Sequence, residues 1–184
     1  MNIHTIILAA GEGSRMKSKR AKSLQRVGGK TMLELICKTA ERISTKITLI
    51  VGFDKNSIIN ESKSFDFEIS TCEQASPIGT GDAVKCGINE VDEADKVLVL
   101  YGDVPLIKKE TLENLVSLDD KSLTILSTKV DNPFGYGRVK KDNDGNVTQI
   151  IEEKDASNAD KKISEIFTGI LCCNKVLLAE ALKE

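Results

Sequence analysis

Apolar positions along the chain fall into two kinds of run. Continuous runs occur at residues 5–10 (TIILAA), 46–53 (KITLIVGF) and 95–107 (DKVLVLYGDVPLI). Runs of this type, without polar alternation, predict strands buried on both faces of a parallel sheet. Residues 65–72 (FDFEISTC) alternate partially and predict a shorter strand. Between these runs the period lengthens. Residues 31–43 (TMLELICKTAERI) place Met32, Leu35, Ile36, Thr39, Ala40 and Ile43 on one helical face. Residues 80–91 (TGDAVKCGINEV) predict a helix with Thr80 or Asp82 near its N-terminus, and residues 109–118 (KETLENLVSL) another. A strand at 121–130 completes a strand and helix alternation over the first 130 residues or so.

That alternation predicts an α/β fold: a Rossmann-like three-layer α/β/α domain with a mostly parallel mixed sheet. The rhythm then changes. Residues 137–155 (GRVKKDNDGNVTQIIEEKD) predict a hairpin turning around residues 143–146, followed by a strand at 163–174 and a final helix from residue 175. The 184 residues suggest one domain, and no repeat or Pro-rich linker interrupts them.

Composition narrows the function. Aromatic residues make up 4% and Trp is absent, so stacking on nucleic-acid bases is disfavoured. A net charge of -2 argues against a nucleic-acid coat, and no run approaches a membrane span. Cys37, Cys72, Cys86, Cys172 and Cys173 form no CxxC pair and are odd in number, so they read as reduced residues of a cytoplasmic protein.

Positive charge is nevertheless concentrated. Seven Lys and Arg side chains lie between Arg15 and Lys30 with no acidic residue among them, directly after the loop GEGSR. In an open parallel sheet, ligands bind outside the carboxyl ends of the strands. Three features fall there: residues 11–15, residues 76–81, and Gly102-Asp103. The first loop is not a dinucleotide fingerprint, because Met16 replaces the third glycine, and the GGK at residues 28–30 is not a P-loop, because Leu24 stands where its first glycine belongs. Its physics still suits phosphate: glycines admit close backbone approach, Ser14 adds a hydroxyl, Arg15 a forked donor, and Lys22 can fold back over the same anion. The competing reading is a plain strand-to-helix turn beside a solvated basic face. Asp103, at the end of a central strand, is a candidate Mg²⁺ ligand, against the alternative of a turn aspartate before Pro105. Asp142, Asp144, Asn146 and Glu153 mimic calcium-loop spacing, but Val147 occupies the required glycine position, so a hairpin turn is favoured.

LAAGEGSRM with Lys22 downstream resembles the signature loop of sugar-phosphate nucleotidyltransferases. YGDVPLI, GYGRV, IIEEKDAS and EIFTGIL extend the likeness, in order, to the uridylyltransferase domain of the bacterial bifunctional N-acetylglucosamine-1-phosphate uridyltransferase family. The resemblance implies a nucleotide-diphospho-sugar transferase fold. It implies joining of UTP and N-acetylglucosamine 1-phosphate with release of pyrophosphate, and Mg²⁺ as cofactor. It assigns Leu8, Ala9, Ala10, Gly11, Gly13, Ser14, Gln74, Gly79, Thr80, Tyr101 and Gly102 to the nucleotide. Arg15 falls on the leaving group, Lys22 nearer the transferred phosphate, Asp103 on the metal, and Gly137, Glu152 and Thr168 on the sugar. Glu153 reads as a solvated neighbour.

Departures from the pattern fall at four places. Residues 75–78 lengthen the base-reading connection, Asp82 stands where a histidine is frequent, Phe167 replaces an asparagine that bonds the sugar, and Ala21 replaces a proline. They keep open a related transferase using another nucleotide or acceptor, or a nucleotide-binding module without catalysis. The resemblance further implies that residues 1–184 are a nucleotidyltransferase domain incomplete at its C-terminus. A second magnesium ligand would then lie beyond residue 184, and the β-helix acetyltransferase half would be absent. A homo-oligomer is compatible with all of these.

Overall fold

The computed structural model describes residues 1–13, 18, 20–76, 78–92, 94–118 and 123–183. They form two compact units: Met1–Thr124 together with Leu171–Glu184, and Ile125–Ile170.

The first unit begins with β1 (Ile3–Leu8), whose six residues are all buried. A two-residue-by-two-residue hairpin, β2 (Arg26–Val27) and β3 (Lys30–Thr31), turns on Gly28-Gly29, both at positive φ. Helix α1 (Met32–Glu41) follows directly. Its start is capped by Thr31, whose hydroxyl accepts from the Glu34 amide at 3.0 Å, and the Glu34 carboxylate pairs with Lys30 at 2.7 Å. The face it buries carries Met32, Leu33, Ile36, Cys37 and Ala40. The expected face is thus rotated: Leu33 and Cys37 go inward, while Leu35, Thr39 and Ile43 are only half-buried. The sequence contains overlapping apolar stripes, and packing against the sheet selects between them.

β4 (Lys46–Val51), α2 (Lys55–Ser62), β5 (Ser70–Glu73), α3 (Thr80–Ile88), β6 (Lys96–Tyr101) and α4 (Lys109–Ser117) continue the alternation. Helix α2 has no counterpart in the sequence reading, because it buries only Ile58 and Ser62 and carries little periodic signal. Helix α3 starts at Thr80 as expected, but its cap is Gly79 and no side chain caps it. Strands run β5-β4-β1-β6, all parallel, and the end of β10 (Glu165–Asn174) lies antiparallel on β6 through Leu171–Asn174. The chain closes with α5 (Lys175–Ala181).

Ile6, Leu8, Ile50, Val84, Val97 and Val99 anchor the core between α3 and the sheet. Contact there is close: a methyl on Gly87 would lie 2.8 Å from Ile6 and 3.0 Å from Ile50. Two buried polar side chains of the sheet are paired. His4 Nε2 meets Thr48 Oγ1 at 2.8 Å, and buried Lys96 donates to the Val116 carbonyl at 2.6 Å, capping α4. All five cysteines are free, with Cys37, Cys172 and Cys173 buried.

The second unit is antiparallel. β7 (Thr124–Lys129) pairs with β10, and β8 (Arg138–Lys141) forms the expected hairpin with β9 (Val147–Ile151). Its turn is the hairpin turn expected around residues 143–146. Asp142 accepts from the amides of Asp144 and Asn146 at 3.0 and 2.8 Å, and these bonds hold its carboxyl below the usual range.

Candidate active site

In the first unit, main-chain bonds continue past the strand ends. Ala9 donates to Ile50 at 2.9 Å, Gly102 to Leu8 at 2.9 Å, and Gln74 to Val51 at 2.8 Å. The carboxyl ends of β1, β4, β5 and β6 are therefore stitched into one rim, and the expected nucleotide segments leave from it. Leu8, Ala9, Ala10 and Gly102 are buried and build the rim, while Tyr101 is half-buried and Gly11, Gly79 and Thr80 are exposed on it. Ser14 and Arg15 lie outside the described residues.

Lys22 and Asp103 come together. The Lys22 ammonium lies 2.6 Å from Asp103 Oδ2, both groups partly open to solvent. Lys22 begins a 3-10 turn, Lys22–Leu24, that follows the glycine loop. Gly13 makes room for it: at φ +64 its missing Cβ would sit 2.9 Å from Lys22 Cβ. Ala21 keeps a proline-compatible φ of −51 and uses the N–H that proline lacks, donating to Asp54 Oδ2 at 3.1 Å. Ser23 is buried beside Gly102, and its hydroxyl has no hydrogen-bond partner among the described residues.

Gln74 lies on the same rim, but is not free. Its Nε2 donates to the Gly79 carbonyl at 3.0 Å and to Asp82 Oδ2 at 2.8 Å. Asp82 entered the sequence reading as a residue near the start of this helix and as a departure from a family pattern, not as a partner of Gln74. A carboxylate three residues into a helix that follows a buried glutamine was the signal available.

The second unit holds the residues expected on the sugar side. Gly137 is buried, and a Cβ there would lie 3.3 Å from Glu152 Oε1, so the two are neighbours. Phe167 donates its amide to the Gly137 carbonyl at 2.8 Å. Thr168 spends its hydroxyl proton on the Leu126 carbonyl at 2.7 Å. Glu153, read from sequence as a solvated neighbour, is instead engaged. It accepts from the Gly135 amide at 3.0 Å and from Arg138 Nη2 at 2.6 Å. Those bonds, the Gly135 amide first, hold its carboxyl below the usual range. Arg138 was missed altogether. Its side chain is 2% exposed, donates also to the Tyr136 carbonyl, and leaves Nε without a partner among the described residues. Arg138 and Glu153 together brace the GYGR turn that carries Gly137.

No group of three or more His, Cys, Asp or Glu side chains among the described residues forms a metal cage. Asp103 offers a hard oxygen at the rim, with an ammonium beside it. That suits a cation taking one carboxylate plus phosphate oxygens and water, the habit of Mg²⁺. No helix among the described residues is long and apolar enough to cross a membrane.

Comparison with known proteins agrees with this layout. Residues 5–139 match the family model of the MobA-like NTP transferase domain. The chain is 42% identical over 179 residues to bifunctional protein GlmU of Psychrobacter sp. (strain PRwf-1), covering 97% of this chain and 39% of that protein. It is 43% identical over 183 residues to bifunctional protein GlmU of Alcanivorax borkumensis, covering 99% and 40%. The chain therefore spans about two fifths of the length of the curated relatives it matches. Among solved structures, HddC from Yersinia pseudotuberculosis superposes with a TM-score of 0.72 at 25% identity, covering 96% of this chain and 79% of that one.

Proposed function

Because the chain belongs to the family of MobA-like NTP transferase domains, we propose that it transfers a uridylyl group from UTP to N-acetylglucosamine 1-phosphate. The products are UDP-N-acetylglucosamine and pyrophosphate, the former a cytoplasmic precursor for peptidoglycan and lipopolysaccharide. The observation that carries the reading is the Lys22–Asp103 pair at 2.6 Å on the rim where the glycine loop ends.

The chemistry asks little of side-chain acid or base. A sugar-phosphate oxygen, already ionised at neutral pH, forms a bond to the α-phosphorus as the bond from that phosphorus to the β-phosphate bridge breaks. The electron pair leaves with pyrophosphate. The only histidine, His4, is buried against Thr48 and plays no part. What remains is to hold two polyanions together and offset the charge on the leaving group.

Lys22 supplies an ammonium that exchanges Asp103 for phosphate when nucleotide arrives. Main-chain N–H groups of the glycine loop add donors, and Arg15 faces the leaving pyrophosphate in this reading. Asp103 would hold Mg²⁺, which supplies neutralisation of the phosphate charges when bound. Gln74, Gly79 and Thr80 take the base. Gly137 and Glu152 take the sugar through a main-chain group and a carboxylate, with Thr168 bracing the strand beside them.

The test is pyrophosphate release with Mg²⁺, N-acetylglucosamine 1-phosphate and each nucleoside triphosphate in turn. Release with UTP is expected, falling by at least ~10²-fold in Asp103→Asn and in Lys22→Ala. Equal release by both variants, or none with any nucleotide, would overturn the assignment. Phe167, where the resemblance expects an asparagine, favours a second reading with another phosphorylated acceptor. Release that appears only with a different sugar phosphate would select it.

A further inference from the structure

Gln74 is only 6% exposed, yet its polar end is half-satisfied. The nitrogen has two partners, the Gly79 carbonyl at 3.0 Å and Asp82 Oδ2 at 2.8 Å. Both partners are acceptors only, so they dictate which end of the amide is nitrogen. Oε1 has no hydrogen-bond partner among the described residues. The amide lies against the first turn of α3, since Gly79 is the cap of that helix and Asp82 its third residue. The same turn has no side-chain cap, and the N–H groups of Thr80, Gly81 and Asp82 have no helical partner. One fixed acceptor and several main-chain donors thus share one helix end.

We propose that Asp82 sets the base selectivity of the nucleotide site by locking the Gln74 amide with its oxygen available to the base. An acceptor next to donors is complementary to an imide edge, where N3–H donates and the adjacent carbonyl accepts, as in uracil. Cytosine inverts that edge: its N3 is an acceptor and its amino group a donor. Against the same array, acceptor meets acceptor and donor meets donor, and unpaired groups of this kind carry most of the discrimination between close analogues. Without the Asp82 carboxylate only the Gly79 carbonyl holds the amide in that sense, and the amide turns over more readily to present its NH₂ instead. Asp82 is a positioning residue that acts through Gln74. The inference rests on the nucleotidyltransferase reading of this rim.

The experiment is calorimetric binding of UTP and of CTP, each with Mg²⁺, to the unaltered chain and to Asp82→Ala, Asp82→Asn, Gln74→Ala and the Gln74→Ala/Asp82→Ala double variant. The unaltered chain is expected to favour UTP. Asp82→Ala should narrow the UTP-to-CTP affinity ratio about ten-fold while CTP affinity holds or rises, and Asp82→Asn, which keeps one acceptor oxygen for the Gln74 amide but adds a donor, should narrow it less. In the Gln74→Ala background, Asp82→Ala should change the ratio no further. Retained CTP binding shows that a variant is folded, and the near-isosteric Asp82→Asn stands in if the alanine does not fold. An unchanged ratio in both Asp82 variants, or the same change with and without Gln74, would sink the proposal. If the unaltered chain binds both nucleotides equally, selectivity is not set here, although the triphosphate site stands. If it binds neither, the nucleotidyltransferase reading itself fails and takes this inference with it.

Discussion

The two units of this chain are stabilised by different means. The first is a parallel sheet whose strands are buried on both faces, so its core is a run of Ile, Leu and Val side chains at or near zero exposure. The second is antiparallel and thin. Its buried apolar set is little more than Val139, Ile151, Ile166 and Ile170, and its largest fully buried side chain is Arg138. Ion pairs and a hydrogen bond take over there: Arg138–Glu153 at 2.6 Å and Lys141–Glu165 at 2.7 Å, with Ser127 donating to Glu165 at 2.6 Å. The lesson is that the expected nucleotide segments hang from an apolar frame, while the expected sugar segments depend on a polar one. Packing fixes the first by exclusion of water, and directional bonds fix the second.

Cavity variants offer the largest test of that contrast. Ile6→Ala, at a fully buried position on β1, should cost about 3 kcal/mol in denaturant unfolding. Val139→Ala should cost about 2 kcal/mol at most and raise amide exchange only within residues 125–170. If Val139→Ala lowers protection across the parallel sheet as much as Ile6→Ala does, the two units are energetically one.

Acidity should separate the units by a smaller margin. Burial, reinforced by Lys46, lowers the pKa of His4 from 6.5, so the unfolded chain binds its proton more readily. The stability this contributes is present above about pH 6.5 and is lost as pH falls through the lower folded value. In the second unit, Glu153 and Glu165 are held below 4.5 by their bonds, first to the Gly135 amide and to Lys141 respectively. Their contribution persists at pH 5.5 and is lost only as pH drops below about 4.5. Denaturation midpoints at pH 7.5 and 5.5 should therefore differ less in His4→Gln than in the unaltered chain. An equal difference would remove His4 from the account.

The smallest expected effect is at Ala21. Proline there would stiffen the unfolded chain at a compatible φ but forfeit the 3.1 Å bond to Asp54. The two changes oppose each other, and the unfolding free energy should move by less than about 1 kcal/mol. A larger loss would show that Asp54 anchors the loop leading to Lys22.

Much of the frame was legible in sequence because burial on both faces leaves an unmistakable apolar run, as in β1, β4 and β6. Helix α2 was not, since one buried isoleucine and one buried serine make no periodic pattern. The hairpin β2–β3 escaped for a similar reason: most of its few residues are exposed or half-buried. The face of α1 was rotated because its apolar residues satisfy more than one stripe. At the rim, Gly13, Lys22 and Asp103 could be named from motif and strand position. Glu153 was misread and Arg138 overlooked, because a charged residue in a sequence does not announce that it will be buried.

The sequence by itself determined where the buried strands and most of the helices run, which strand ends carry polar loops, and which transferase family those loops resemble. Local periodicity records burial, and burial is what a parallel sheet imposes on each strand separately. Only the tertiary structure decided partnership. Lys22 meets Asp103 because β1 and β6 are adjacent and parallel, so chain segments that leave them emerge at the same rim. Asp82 meets Gln74 because β5 ends beside the turn that opens α3. Charges and amides take their roles from the nearest complementary atom in space, and that neighbour is set by the order of the strands.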